Sequence, residues 1–121
     1  MTFSSFRYIS LDYLDKMSGG DQDTQKLLLE MLINELPQAT TEMKQLFASQ
    51  NWADLRNASH KMKSTLAFVG NQKMTRANKK ILETLTNSKT GQHLQREMQL
   101  LEDLAPKVLL ELRKVYSGLE S

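Results

Sequence analysis

The 121-residue chain contains no cysteine, which excludes disulfides, thiolate nucleophiles and thiolate metal sites. Two prolines and five glycines are too few to punctuate a strand-rich fold. Long hydrophobic runs are also missing: the longest apolar stretch, around Leu27 to Ile33, is interrupted by Glu30. Residues 1–7 lack the basic-then-apolar order of a secretory leader. Nothing in the sequence is expected to enter or cross a membrane, and the expected location is the cytoplasm. What remains is a chain with 40% apolar and 25% charged residues, the balance of a folded globular domain. It is dominated by residues that favour helix. Its length suits one domain that buries a core without staples.

Apolar spacing predicts five helices. Ser10-Leu11-Asp12-Tyr13-Leu14 reads as an N-cap and a short amphipathic turn or two, stopped by Ser18-Gly19-Gly20. Asp21 or Asp23 opens a long helix through Leu28, Leu32, Leu36, Ala39, Met43, Leu46 and Phe47. Pro37 is expected to kink this helix rather than end it. Asn51 caps a third helix, with Trp52, Leu55, Ser59, Met62, Leu66 and Val69 on one stripe and Gly70-Asn71 at its end. Met74, Ala77, Ile81 and Leu85 mark a fourth, and Leu94 to Leu119 a fifth, in which Pro106 predicts a bend or local break. The five spans are placed at about 10–18, 21–49, 52–69, 72–87 and 92–117. Short connections make the economical fold an all-α, antiparallel, up-and-down four-helix bundle, with the short N-terminal helix laid across one end. Met31, Met43, Met62, Met74 and Met98 are expected to fill gaps in its core.

The formal net charge of +2 hides an uneven distribution. Residues 1–55 hold four cations against eight anions, Arg56 to Lys80 hold seven cations and no anion, and residues 81–121 hold five against six. A concentrated basic surface fits an acidic partner. A nucleic-acid reader is disfavoured, because Phe68 is the only aromatic side chain in the basic segment and no reader motif is evident.

One constellation carries chemistry. Helical geometry turns about 100° per residue, so His60 points about 140° away from the third-helix stripe, on a face with Arg56, Lys63, Ser64 and Ala67. An imidazole with one unprotonated nitrogen is a nucleophile. Lys63, one turn on, can neutralise a phosphoryl oxygen, and Ser64 and Ala67 leave space beside the ring. No nearby carboxylate, Gly-rich phosphate loop or H-E-x-x-H motif supplies the parts of a hydrolase. The other histidine, His93, lacks ligand-like spacing, so no metal site is expected and His93 reads as a surface residue.

The run Ala58-Ser59-His60-Lys61-Met62-Lys63-Ser64-Thr65-Leu66-Ala67-Phe68-Val69-Gly70 resembles the signature of histidine-containing phosphotransfer (HPt) domains, an H-x-x-K core with a glycine ten positions after the histidine. The resemblance implies a helical-bundle carrier, not an enzyme in its own right, within a two-component phosphorelay. His60 would be the phospho-acceptor, Lys63 would steady the phosphoryl group, and Gly70 would be a close-packing residue at the helix end. The implied partners are a response-regulator receiver domain, a hybrid sensor histidine kinase, or both. The receiver would supply the acidic pocket, the Mg²⁺ and the acceptor aspartate, so this chain binds no cofactor itself. Arg56, Ser64, Ala67, Gly70, Arg76 and Lys79 would line the docking face of a monomer. Two positions depart from the pattern. Ser64 stands where the family usually has glycine, and Leu82 stands where many members have a Gln or Glu that holds the δ-nitrogen proton. Asn78, one turn before Leu82, is the candidate to orient the ring instead. Two other readings stay open: a helical adaptor that has lost phosphate acceptance, and a nucleic-acid-binding bundle that uses the face from Arg56 to Lys80.

Overall fold

The computed structural model describes residues 6–120. Helices α1 (Asp12–Ser18), α2 (Gln22–Ala48), α3 (Trp52–Val69), α4 (Gln72–Asn87) and α5 (Gln95–Glu120) account for the regular structure, with one 3-10 turn at Gln92–Leu94; no strand occurs among the described residues. The four long helices pack in a ring: α2 against α3 and α5, and α4 against α3 and α5, while α1 rests on α2 and α3.

Local chemistry sets the helix ends. The Asp21 carboxylate accepts from both the backbone amide and the hydroxyl of Thr24 at the start of α2. These bonds, the hydroxyl's first, hold the Asp21 carboxyl below the usual carboxylate range. Asn51 and Asn71 accept from Asp54 and Met74 at the starts of α3 and α4. Gly19 and Gly70 close α1 and α3 in the left-handed conformation, with φ of 61° and 73°.

The start of α1 differs from expectation. Leu11, not Ser10, holds the N-cap position, and no side chain caps the helix. Ser10 is instead fastened to the end of α3, where its amide donates to the Val69 carbonyl at 3.0 Å. Its hydroxyl lies 3.5 Å from the Asp12 amide, at the edge of hydrogen-bond range. Residues 92–94, expected in the last helix, form the 3-10 turn. Neither proline ends its helix, and α5 runs through Pro106 without the local break that its ring suggested.

The core joins all the helices. Leu29, Leu32 and Leu36 of α2 meet Leu55, Met62 and Leu66 of α3, Ile81 of α4, and Leu101, Val108 and Leu112 of α5, all nearly or fully buried. Each such side chain contributes about 1.5–3 kcal/mol by leaving water. Met43, Met62, Met74 and Met98 lie in this core. Met31 does not; it is exposed beside Leu27 on the outer side of α2, because the buried stripe of that helix runs through Leu29 and Leu32.

Candidate functional site

The third helix presents two unlike faces. Leu55, Ala58, Ser59, Met62, Thr65, Leu66 and Val69 are buried, which leaves Arg56, His60, Lys63, Ser64 and Ala67 exposed along the opposite side. The His60 ring has no hydrogen-bond, ion-pair or ring partner among the described residues, and Lys63 has no carboxylate partner there. One turn of helix brings their Cβ atoms to about 5–6 Å. Both ring nitrogens are therefore open to an incoming group, with a cation beside them.

Toward α4, this face falls into a groove of about 330 Å³ bordered by Lys63, Ala67, Asn78, Lys79, Leu82 and Glu83. Leu82 is half-buried in its wall and offers the ring no polar atom. On the other side, the Tyr13 ring of α1 lies 5.0 Å from that of Phe68, so α1 extends the apolar surface alongside α3. Gly70 seals the far end: a Cβ there would lie 2.7 Å from the Ser10 carbonyl oxygen and 2.8 Å from the Ser10 Cβ.

Asn78 does not point at the imidazole. It is 1% exposed and turned into the α3–α4 interface, where its Oδ1 accepts from the Ser59 hydroxyl at 2.6 Å and its Nδ2 donates to the Ser59 carbonyl at 3.0 Å. The orienting role considered for Asn78 is thus corrected: both ends of its amide are engaged by the residue preceding His60, and it braces the α3 backbone rather than the ring. This pairing was readable only as a polar interruption at Ser59 in the apolar stripe. Asn78→Ala removes two buried bonds and leaves the Ser59 hydroxyl only its longer bond, 3.3 Å, to the backbone carbonyl of residue 78, so a stability loss of about 1–3 kcal/mol is expected, to be measured by urea unfolding.

The basic segment is not one surface. Lys61 turns toward α2 and borders a groove with Glu35 and Glu42. Arg56 donates to the Thr86 hydroxyl, Lys79 pairs with Glu83 at 3.9 Å, and Lys80 pairs with the nearly buried Glu97 of α5 at 3.2 Å. Lys73 and Arg76 lie around the end of the bundle. The 100° step of α3 and α4 scatters seven cations that are close only in sequence. Lys63, one turn from His60, shares a groove with Lys79, and Arg76 adjoins Ala67 and Gly70 in a neighbouring groove.

His93 is exposed in the 3-10 turn before α5. Among the described residues no group of three His, Asp or Glu side chains is placed to hold a metal ion, and no helix is long and apolar enough to cross a membrane. A family model described as Hpt domain matches residues 27–119, a span that includes His60, Lys63, Gly70 and Asn78 and leaves α1 outside. Searches of curated proteins and of solved structures gave no match.

Proposed function

The chain belongs to the Hpt domain family, whose members are phosphoryl carriers in phosphorelays, and on that premise we propose that His60 is its phospho-acceptor, exchanging a phosphoryl group with the aspartate of a response-regulator receiver domain. The observation that carries this reading is the open imidazole, exposed on a rigid helix one turn from an unpaired lysine.

In the transfer, the unprotonated ring nitrogen attacks phosphorus in line with the aspartyl oxygen. The P–N bond forms as the P–O bond breaks, the carboxylate leaves with the electron pair, and the other ring nitrogen gives up its proton to solvent. Lys63 faces the charge on the phosphoryl oxygens. Mg²⁺ and the acidic pocket belong to the receiver. Among the described residues no carboxylate bonds the imidazole to activate water, which favours carriage over hydrolysis. The proposal takes the four long helices as an antiparallel up-and-down bundle, supported by connections of two to seven residues between neighbours that pack together. The protein acts in this account as a cytoplasmic monomer that meets a receiver domain, a hybrid sensor kinase, or both.

A direct consequence concerns Lys63. Lys63→Ala is expected to lower the maximal transfer rate about 10–100-fold, because it removes a charge beside the moving phosphoryl group rather than a docking contact. Single-turnover transfer from a phosphorylated receiver at saturating concentration measures this. An unchanged maximal rate with weakened binding would move Lys63 to the docking surface.

A further inference from the structure

The mechanism leaves a second basic region unused. At the end of the bundle, the segment before α1, the start of α4 and the middle of α5 enclose an open groove of about 540 Å³ with Arg7, Lys73, Arg76 and Lys107 on its walls and no acidic side chain among them. None of the four has a carboxylate partner within ion-pair distance among the described residues. Glu111, which does not line the groove, holds its N-terminal wall in place: its oxygens accept from the backbone amides of Arg7, Tyr8 and Ile9. Four unpaired cations converging from three segments repel one another, and an anionic occupant relieves that repulsion.

We propose that this groove is a second docking anchor for the receiver domain, taking a carboxylate-rich segment on that partner's surface; the inference rests on the phosphotransfer reading. Continuity is one reason. Arg76, Gly70 and Gln72 border both this groove and the adjoining one that contains Tyr13 and Ala67 on the His60 side, so a single partner can cover both without a gap. Asp12, at the edge of the adjoining groove, keeps the strongest positive field at the far end. Reach is another. His60 and Gly70 are ten residues apart on one helix, about 15 Å. A standard interface of about 800 Å² per partner is a disc of about 16 Å radius.

The aromatic residue of the groove argues for a protein rather than a nucleotide or nucleic acid. Tyr8 is already covered by cations, with the Lys107 ammonium 5.6 Å and the Arg7 guanidinium 5.9 Å from its ring centroid. The ring holds those two side chains in place, and a base that stacked on it would compete with their cation–π contacts.

The test uses the full chain and a panel of receiver domains phosphorylated with acetyl phosphate and Mg²⁺. Transfer is followed against receiver concentration at low and high ionic strength for the unmodified chain, for Lys73→Glu/Lys107→Glu, and for Arg113→Glu/Lys114→Glu, an equal charge change elsewhere on α5. Circular dichroism confirms that each is folded. The groove variant is expected to need about ten times more receiver for half-maximal rate at low salt, with the difference shrinking at high salt and the maximal rate kept within about two-fold. The control is expected to stay within about two-fold throughout. Equal losses in both variants, an unchanged half-maximal concentration, or a fall confined to the maximal rate would overturn the anchor while leaving His60 as acceptor. Duplex DNA or RNA binding at physiological salt that the groove variant loses while receiver transfer is unaffected would assign the groove to nucleic acid. If no receiver labels the unmodified chain, both the anchor and the phosphotransfer reading fall.

Discussion

His60→Gln is expected to reduce phosphoryl uptake from a phosphorylated receiver domain to background, while His93→Gln leaves it unchanged. Glutamine has nearly the reach of histidine and keeps polar atoms at its tip, so the exposed surface and the helix are preserved. What disappears is a nitrogen basic enough to attack phosphorus. Both histidines are exposed, and accessibility alone does not separate them. Their settings do. His60 lies in the middle of an 18-residue helix, its backbone braced by the Ser59–Asn78 bonds and Lys63 one turn away. His93 lies in a three-residue 3-10 turn without that bracing. Acid-labile phosphate counted after a fixed exposure to the receiver measures the difference, which should exceed about 10³-fold because no second nucleophile replaces the first.

Gly70→Ala is expected to cost about 2–5 kcal/mol of stability, among the largest losses available to a one-carbon change in this chain. Two terms add. A residue with a Cβ pays about 1–2 kcal/mol in the left-handed region, where Gly70 sits at φ 73°. The new carbon would also meet the Ser10 carbonyl oxygen at 2.7 Å, and relieving such overpacking typically costs about 1–3 kcal/mol. The Ser10 backbone gives way poorly because its own amide is bonded to Val69. Gly19 separates the terms: it has a similar φ of 61°, but an added Cβ would meet nothing within 4 Å. Gly19→Ala should therefore lose only about 1–2 kcal/mol. Urea unfolding of the two variants side by side checks the prediction. Equal losses would mean that Ser10 does not press on Gly70.

These two glycines also show what could be read before the structure. A glycine after a run of 3-4 spacing announces a helix end, and Asn51 or Asp21 before such a run announces a start, because the signals act within a few residues of the groups that they satisfy. The stripe of α3 was legible for the same reason: Leu55, Met62, Leu66 and Val69 are buried, which turns His60 outward by helical geometry alone. Pairings between helices were less legible. Asn78 appeared free to reach an imidazole because the sequence shows only its spacing from Leu82; its bonds to Ser59 depend on how α3 and α4 meet. The run from Arg56 to Lys80 suggested one basic face, yet it spans parts of two helices and the turn between them, and its cations leave in different directions. The groove of Arg7, Lys73, Arg76 and Lys107 was hidden for the converse reason, since its members lie up to a hundred residues apart. Met31 matched the helical period on α2, but the buried face of that helix is centred on Leu29 and Leu32.

In this mechanism His60 itself becomes phosphorylated. The most direct measurement incubates the unmodified chain with Mg²⁺ and phosphorylated receiver domains, then locates the modification by phosphorus NMR and by peptide mass spectrometry under neutral to alkaline conditions that preserve a phosphoramidate. One acid-labile, base-stable phosphoryl group is expected on the peptide that contains His60. Label confined to the receiver, or a phosphoryl group on any other residue of this chain, would contradict it.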